Sequence, residues 1–283
     1  MAVLLEWGSH FLDLEKKTHV MGVLNVTPDS FSDGGLFLET GNAVEHGIAM
    51  AEEGADFIDI GGESTRPFSN PISTSEEIDR VVPVIETLAG EVEVPISIDT
   101  RKGVVAKEAL KAGASIINDI SALRFDPALA SVAAESGVPI VLMHMKGMPE
   151  NMQKNPVYDD LIGEIRGFLE DAVQRAMKAG IREDLILVDP GIGFGKTFDH
   201  NLQILRELPS LMSLGKPVLI GTSNKAFIGE ILNKKAHERL TGTMATVAVA
   251  AMNGAHVVRV HNVKEAVETV RVVDAIKRGT VKE

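Results

Sequence analysis

Four stretches decide the fold: AEEGADFIDIGG (51–62), LKAGASIINDI (110–120), AAESGVPIVLMH (133–144) and AMNGAHVVRVH (251–261). Each reads as the end of a helix, a Gly, a short run rich in Val and Ile, and then a polar residue. Gly suits a helix C-terminus because it adopts the left-handed cap conformation without steric cost. The run after it favours a strand. An apolar run this short, bounded by turn residues, fits a parallel strand covered on both faces. Looser versions complete the series: VMGVLN (20–25), ISID (96–99) after Val94-Pro95, LILVDPG (185–191) after Gly180, and PVLIGTS (217–223) after Gly215. The eight apolar runs end near Asn25, Asp59, Asp99, Asn118, His144, Asp189, Thr222 and His261.

Helix starts lie between them. Ser73 to Glu77 offers capping boxes, and Asp126-Pro127 is an N-cap followed by Pro at the first helical position. Eight strand–helix units in 283 residues predict an α/β fold, a (β/α)8 TIM barrel, as a single domain over 1–283. Residues 1–19 are a lead-in with the makings of a small hairpin. A doubly wound open sheet has the same alternation, but the count of eight and the lack of a dinucleotide fingerprint favour the barrel. Two helices, 225–235 and 238–253, are expected between the last two strands. The second is rich in small residues, which predicts a close neighbour: the barrel itself or a second copy of the chain.

A net charge of −12, from 28 Lys and Arg against 40 Asp and Glu, argues against nucleic acid or an anionic membrane as partner. A phosphorylated ligand must then be held by a few local cations. The absence of cysteine excludes disulfides and thiolate metal sites. MAVLLEWGSHF lacks the marks of a signal peptide, and no apolar stretch reaches membrane-spanning length, so a soluble cytoplasmic protein is expected.

In a barrel, the C-terminal ends of all strands meet at one mouth. That set holds Asn25, Asp99, Asn118, His144, Asp189, Lys225, Arg259 and His261. A buried Asp is costly unless paired or hydrogen-bonded. Asp99 and Asp189 with Asn118 therefore read as a receptor for a flat heterocycle that presents guanidine-like N–H donors. Arg259 and His261, two apart on one strand, read as an oxyanion or diphosphate grip. The loop VTPDSFSDGG (26–35) is long for a strand-to-helix connection and reads as functional. GIGFGKT (191–197) is no P-loop, because Pro190 stands where Gly is required. The histidines lack zinc-site spacing. Asn25 still offers an oxygen to a Mg²⁺ ion held mainly by substrate phosphate.

The chain resembles the bacterial dihydropteroate synthases over nearly its whole length. MGVLNVTPDSFSDGG (21–35), DIGGESTRP (59–67), SIDT (97–100), INDI (117–120), LMHM (142–145), DPGIGFGK (189–196) and RVH (259–261) carry the resemblance, all in the family's order. It implies a (β/α)8 barrel, a homodimer, Mg²⁺, and the condensation of 6-hydroxymethyl-7,8-dihydropterin diphosphate with p-aminobenzoate on the folate pathway, the target of sulfonamides. It implies pterin contacts from Asp99, Asn118, Met143, Asp189 and Lys225, and diphosphate contacts from Asn25, Arg259 and His261, with the metal on Asn25. Phe31, Thr65, Pro67, Phe194 and Ser223 would form the p-aminobenzoate pocket. Catalytic roles fall to Asp99, Asp189, Lys225, Asp33 and Arg66. Three positions depart from the family pattern: Asn224 replaces Arg, Phe68 replaces Gly, and Asn262 replaces Asp. Rival readings are a methyltetrahydrofolate-binding methyltransferase, which needs no diphosphate grip, and a pterin-binding barrel without turnover.

Overall fold

Polar strand ends are gathered at one mouth by a closed parallel barrel. The computed structural model describes residues 4–27, 35–64 and 71–280, with side chains from residue 40 onward in the first helix. The strands are β3 (His19–Asn25), β4 (Phe57–Gly61), β5 (Ile96–Asp99), β6 (Ile116–Asp119), β7 (Ile140–Met143), β8 (Ile186–Asp189), β9 (Leu219–Ile220) and β10 (Val257–Val260), preceded by β1 (Leu4–Trp7) and β2 (His10–Asp13). The helices are α1 (Gly35–Glu52), α2 (Thr74–Leu88), α3 (Gly103–Ala112), α4 (Pro127–Ser136), α5 (Leu161–Lys178), α6 (Phe198–Arg206), α7 (Ala226–Leu232), α8 (Leu240–Met252) and α9 (Val263–Arg278).

Eight parallel strands run in the order β8-β7-β6-β5-β4-β3-β10-β9. Val188 of β8 bridges Val218, just before β9, and its N–H donates to the Pro217 carbonyl at 2.9 Å, which shuts the barrel. The glycines of the repeated motif do what the sequence asked of them. Gly54, Gly113, Gly137 and Gly254 have φ of +97°, +119°, +62° and +99°, left-handed values that end one helix and turn the chain into the next strand. Ser73 and Asp126 cap α2 and α4 by accepting the N–H groups of Glu76 and Ala128. Leu24, Ile58, Ile98 and Ile117 are fully buried, as a barrel covered on both faces requires.

The lead-in is the expected hairpin: β1 and β2 pair antiparallel around a turn at Gly8, where φ is +53°. Leu5 and Trp7 are buried in the main core. β1 packs against residues 183–185, which feed β8, so the hairpin closes the end opposite the mouth.

Several expected boundaries move. β4 continues to Gly61, so Asp59 lies inside a strand and not at its end. β9 stops at Ile220, two residues before Thr222. α7 is shorter than 225–235 because Asn233 turns left-handed, at φ +52°, after Leu232.

Trp7→Ala empties a large buried volume far from the mouth. Urea unfolding is expected to show a loss of about 3–5 kcal/mol, while the turnover number of the folded fraction stays that of the parent. A loss of under about 1 kcal/mol would mean that the hairpin adds nothing to the core.

Candidate active site

The barrel brings Asp59, Asp99, Asn118 and Arg259 together from four strands. Arg259 donates from Nε to Asp59 Oδ2 at 2.6 Å and from Nη2 to Asp99 Oδ2 at 2.7 Å. Asn118 Nδ2 donates to the same Asp59 oxygen at 3.0 Å. Asp59 is fully buried, and its Oδ1 has no partner among the described residues. Burial pushes the Asp99 carboxyl up to about 7; Arg259 pulls it back, and the Asp59 charge adds to the rise. Burial alone would lower the Arg259 guanidinium, but Asp59 and Asp99 outweigh it and raise it. The sequence reading put Asp99 and Arg259 in two separate sub-sites, whereas they are ion-paired here. Asp59, which the sequence marks only as a strand end, is the link between Arg259 and Asn118. The missed signal was a lone Asp in the apolar run FIDIG, which buried packing tolerates only with a cation at hand.

Asp189 stands at the end of β8, nearly buried, and accepts the Gly191 N–H at 2.7 Å. Burial raises its carboxyl to about 6, against the pull of that N–H and of Lys225. Lys225 precedes α7, with Nζ 4.5 Å from the centroid of the Phe194 ring, a cation–π geometry. Burial and the Arg259 charge lower its ammonium to about 8, while Asp189 and Asp99 oppose that fall. Met143 is buried in a small cluster with Ile120, Met145 and Met152, against which Phe125 and Phe194 pack.

The GIGFG turn takes its path from Gly191 and Gly195, at φ +70° and +66°. A methyl group at either would strike the carbonyl oxygen of His144 or Lys146, so the turn lies directly on the backbone that follows β7. Lys196, the last residue of the DPGIGFGK motif, is buried there. Its Nζ lies 2.8 Å from His144 Nδ1 and donates to the Phe194 carbonyl at 3.0 Å. His144, expected at the open mouth, is instead buried beneath this turn, and burial with the nearby Lys196 drives its imidazole far below the usual range.

On the third side, Ser223 Oγ lies 2.8 Å from His261 Nδ1 and accepts the His261 backbone N–H at 3.2 Å. His261 Nε2 is 3.5 Å from Asn25 Nδ2, so the amide nitrogen of Asn25, not its oxygen, faces the imidazole. No group of three His, Cys, Asp or Glu among the described residues forms a metal cage. The donors fit Mg²⁺ only as one amide oxygen for an ion whose other ligands come with a phosphorylated substrate. Phe31, Asp33, Thr65, Arg66, Pro67 and Phe68 lie outside the described residues. Asn224 is left-handed at φ +56°, which Asn tolerates; its carbonyl accepts Arg239 Nη1 at 2.8 Å. Asn262 precedes α9 and makes no side-chain cap bond.

The model of the pterin binding enzyme family matches residues 21–261. The dihydropteroate synthase of Escherichia coli (strain K12) is 49% identical over 257 residues, which is 91% of each chain. The chain belongs to the dihydropteroate synthase family. Solved dihydropteroate synthases share its shape. That of Yersinia pestis in a sulfonamide drug complex has TM-score 0.92 and 46% identity, covering 97% of this chain and 99% of the other. That of Xanthomonas albilineans with 4-aminobenzoic acid has TM-score 0.92 and 44% identity, covering 98% and 99%.

Carboxylates that must be ionised and a lysine that must be protonated for turnover would give a bell-shaped pH profile of kcat/KM. Activity should rise as pH passes through the values of Asp189 and Asp99, about 6 and about 7, and fall above that of Lys225, about 8. Asp189 has a higher value folded than unfolded, so its contribution favours folding at low pH and is lost as pH rises through about 6. Asp189→Asn keeps an acceptor for the Gly191 N–H. It should therefore melt above the parent at pH 7.5 while losing turnover; a lower melting temperature would contradict the assigned desolvation.

Proposed function

We infer that this chain condenses 6-hydroxymethyl-7,8-dihydropterin diphosphate with p-aminobenzoate to give 7,8-dihydropteroate and pyrophosphate. The observation that carries this reading is the pair of carboxylates, Asp99 and Asp189, that the strand ends bring to one mouth with little exposure, where burial raises the proton affinity of each. Sites that strain a charge in this way are suited to a ligand that repays it.

We assign the pterin ring to the pocket of Asp99, Asn118, Asp189, Met143 and Lys225. Its guanidine-like N–H edge suits paired carboxylate and amide oxygens, its face suits the Met143 thioether, and Lys225 donates to its carbonyl side. The diphosphate then lies towards Asn25, Arg259 and His261, which offer an amide, a guanidinium and an imidazole. An arylamine is a weak nucleophile, so the C–O bond to diphosphate breaks largely before attack. Positive charge grows on the pterin-methyl carbon, and Asp99 and Asp189 favour it. Arg259 orients Asp99 through their 2.7 Å ion pair and favours its charged form against the effect of burial. A Mg²⁺ ion, reached from this chain by Asn25, would supply neutralisation of the leaving pyrophosphate. The nitrogen of p-aminobenzoate then forms the new C–N bond and loses its proton to solvent. Water must be held off meanwhile, because it would capture the same carbon.

Relatives solved with a sulfonamide drug and with 4-aminobenzoic acid support the same pocket here. We assign it Phe194 and Ser223, and by the family motifs Phe31, Thr65 and Pro67. Catalytic assistance comes from Asp33 and Arg66. Charged, unanchored substrates accord with a cytoplasmic setting, and no helix among the described residues is long and apolar enough to cross a membrane.

We also propose a homodimer built on α8 and α9. Met244, Val249, Met252, Val272 and Ile276 line one apolar groove between the two helices, and Val272 and Ile276 are more than 60% exposed. The small residues of α8 would let a second copy approach closely, which is one of the two neighbours that the sequence leaves open. Val272→Glu combined with Ile276→Glu should turn a dimer into a monomer in sedimentation. A double variant that sediments as the parent does would place the interface elsewhere.

Pyrophosphate release on mixing the protein with pterin diphosphate, Mg²⁺ and p-aminobenzoate tests the reaction. Release should depend on p-aminobenzoate and fall at least about 10²-fold in Lys225→Ala. Pterin binding without release would reduce the chain to a binding barrel, and no binding at all would remove the reading.

A further inference from the structure

Three successive backbone carbonyls of the 191–196 turn are each held by a different side chain. Gln153 Nε2 donates to the Gly193 carbonyl, Lys196 Nζ to the Phe194 carbonyl at 3.0 Å, and the Tyr158 hydroxyl to the Gly195 carbonyl at 2.7 Å. Gln153 and Tyr158 lie on the connection between β7 and α5. Lys196 is tied to the start of that connection through His144 Nδ1, at 2.8 Å. On the other side, Asn201 of α6 accepts the Gly193 N–H at 2.7 Å. A turn whose polar groups are met one by one in this way has little freedom to change its path.

Two features separate Lys196 from an ordinary buried lysine. First, its bonds go to an imidazole and to the carbonyls of Phe194 and His144, not to a carboxylate. It is only 3% exposed, and burial pushes its ammonium well below the usual range; Asp189 opposes that fall and Lys225 adds to it. A buried amine without a counter-ion in contact costs stability, and an apolar side chain of similar length would avoid the cost. Its use is then geometric. Second, the carbonyl that it holds belongs to Phe194, whose ring centroid lies 4.5 Å from Lys225 Nζ. A methyl group at Gly193 would stand 3.3 Å from Lys225 Cδ, so the turn itself is laid along that side chain. Phe194 also packs on Met143 and on Met152 of the same β7–α5 connection.

We propose that Lys196 is a positioning residue that, with Tyr158 and Gln153, locks the 191–196 turn to the β7–α5 connection and so holds the Phe194 ring against Lys225. The proposal deepens the synthase reading above, in which Phe194 serves the arylamine and Lys225 the pterin, so one clamp sets a wall common to both substrates. A turn released from the clamp lets the ring swing and admits water beside Lys225 and the pterin-methyl carbon. An error of about 1 Å in placing a reacting group can lower rate by as much as about 10²-fold. Water also restores hydration to Lys225, and burial is the first cause of its low value, so its ammonium rises towards the ordinary lysine range. The other charges that face Lys225, those of Arg259, Asp189 and Asp99, keep their places.

The test compares the full-length parent with Lys196→Met and Tyr158→Phe. Lys196→Met keeps the apolar stem and removes the donor. Tyr158→Phe removes one hydroxyl that burial keeps uncharged, so an effect shared by both variants comes from the turn and not from charge at 196. One readout needs no substrate: the titration of Lys225, followed by NMR of 13C-labelled lysine side chains and assigned with Lys225→Ala. The others are KM for p-aminobenzoate and the ratio of pyrophosphate released to dihydropteroate formed. Lys225 should titrate at about 8 in the parent. In Lys196→Met its value should rise by about one pH unit or more, a tenfold gain in proton affinity. KM for p-aminobenzoate should rise about tenfold or more, with pyrophosphate in excess of product because water captures the carbon. Tyr158→Phe should move every readout the same way but less far, and it serves if Lys196→Met does not fold. Variants that only melt earlier, with the Lys225 titration and KM unchanged, overturn the proposal. So does a Lys225 shift in Lys196→Met with none in Tyr158→Phe, which would mark an effect of charge alone. A parent chain that releases no pyrophosphate with p-aminobenzoate overturns the synthase reading, while the Lys225 titration still decides whether the clamp exists.

Discussion

A single guanidinium, that of Arg259, makes the mouth of this barrel tenable. Parallel closure forces the C-terminal ends of eight strands to one place, and Asp59 and Asp99 arrive there with little access to water. Two carboxylates so close repel each other, and each has lost its hydration. Arg259 answers both with planar, directed N–H bonds at 2.6 and 2.7 Å, which a lysine, as a point charge, would not reproduce. Asn118 is then oriented by the Asp59 oxygen that it shares with Arg259. One pocket wall thus depends on a residue that reaches across from β10.

The other wall is made by backbone. Asp189 keeps its place through the Gly191 N–H, and the following turn rests on the carbonyls of His144 and Lys146 because its glycines have no side chains. Lys196 ties that turn from below through the Phe194 carbonyl, and Phe194 presents its ring to Lys225. The two walls are therefore joined through Lys225, whose proton affinity responds to Arg259, Asp189 and Asp99 alike. Charge at this mouth is a shared property of the cluster, and substrate charge of either sign would redistribute it.

Lys102, which donates to Glu63 at 2.6 Å and to Glu77 at 2.7 Å, gives the rim what Arg259 gives the floor. In both, one cation satisfies two acidic side chains from outside its own strand–helix unit, and the two clusters meet through Asp99 and the residues directly after it. A barrel whose chemistry sits on loops needs such ties, because loops have few apolar contacts to hold them.

Much of this was legible in the residues themselves. The recurrent helix–Gly–apolar run–polar pattern names the strands, since helix caps and buried strands are dictated within about a dozen neighbouring residues. It also places Asp99, Asn118, Asp189, Lys225, Arg259 and His261 at one mouth, because parallel closure leaves strand ends no other destination. Pairing across the barrel was not legible. Asp59 with Arg259 are 200 residues apart, and Lys102 with Glu63 and Ile72 join different units. Whether His144 faces a ligand or lies under a turn depends on a lysine 52 residues away. Local sequence determines which chemistry reaches the mouth, because strand polarity and capping are short-range. Only the closed tertiary structure decides which charge answers which, because electrostatic partners are chosen by distance in space and by shared exclusion from water.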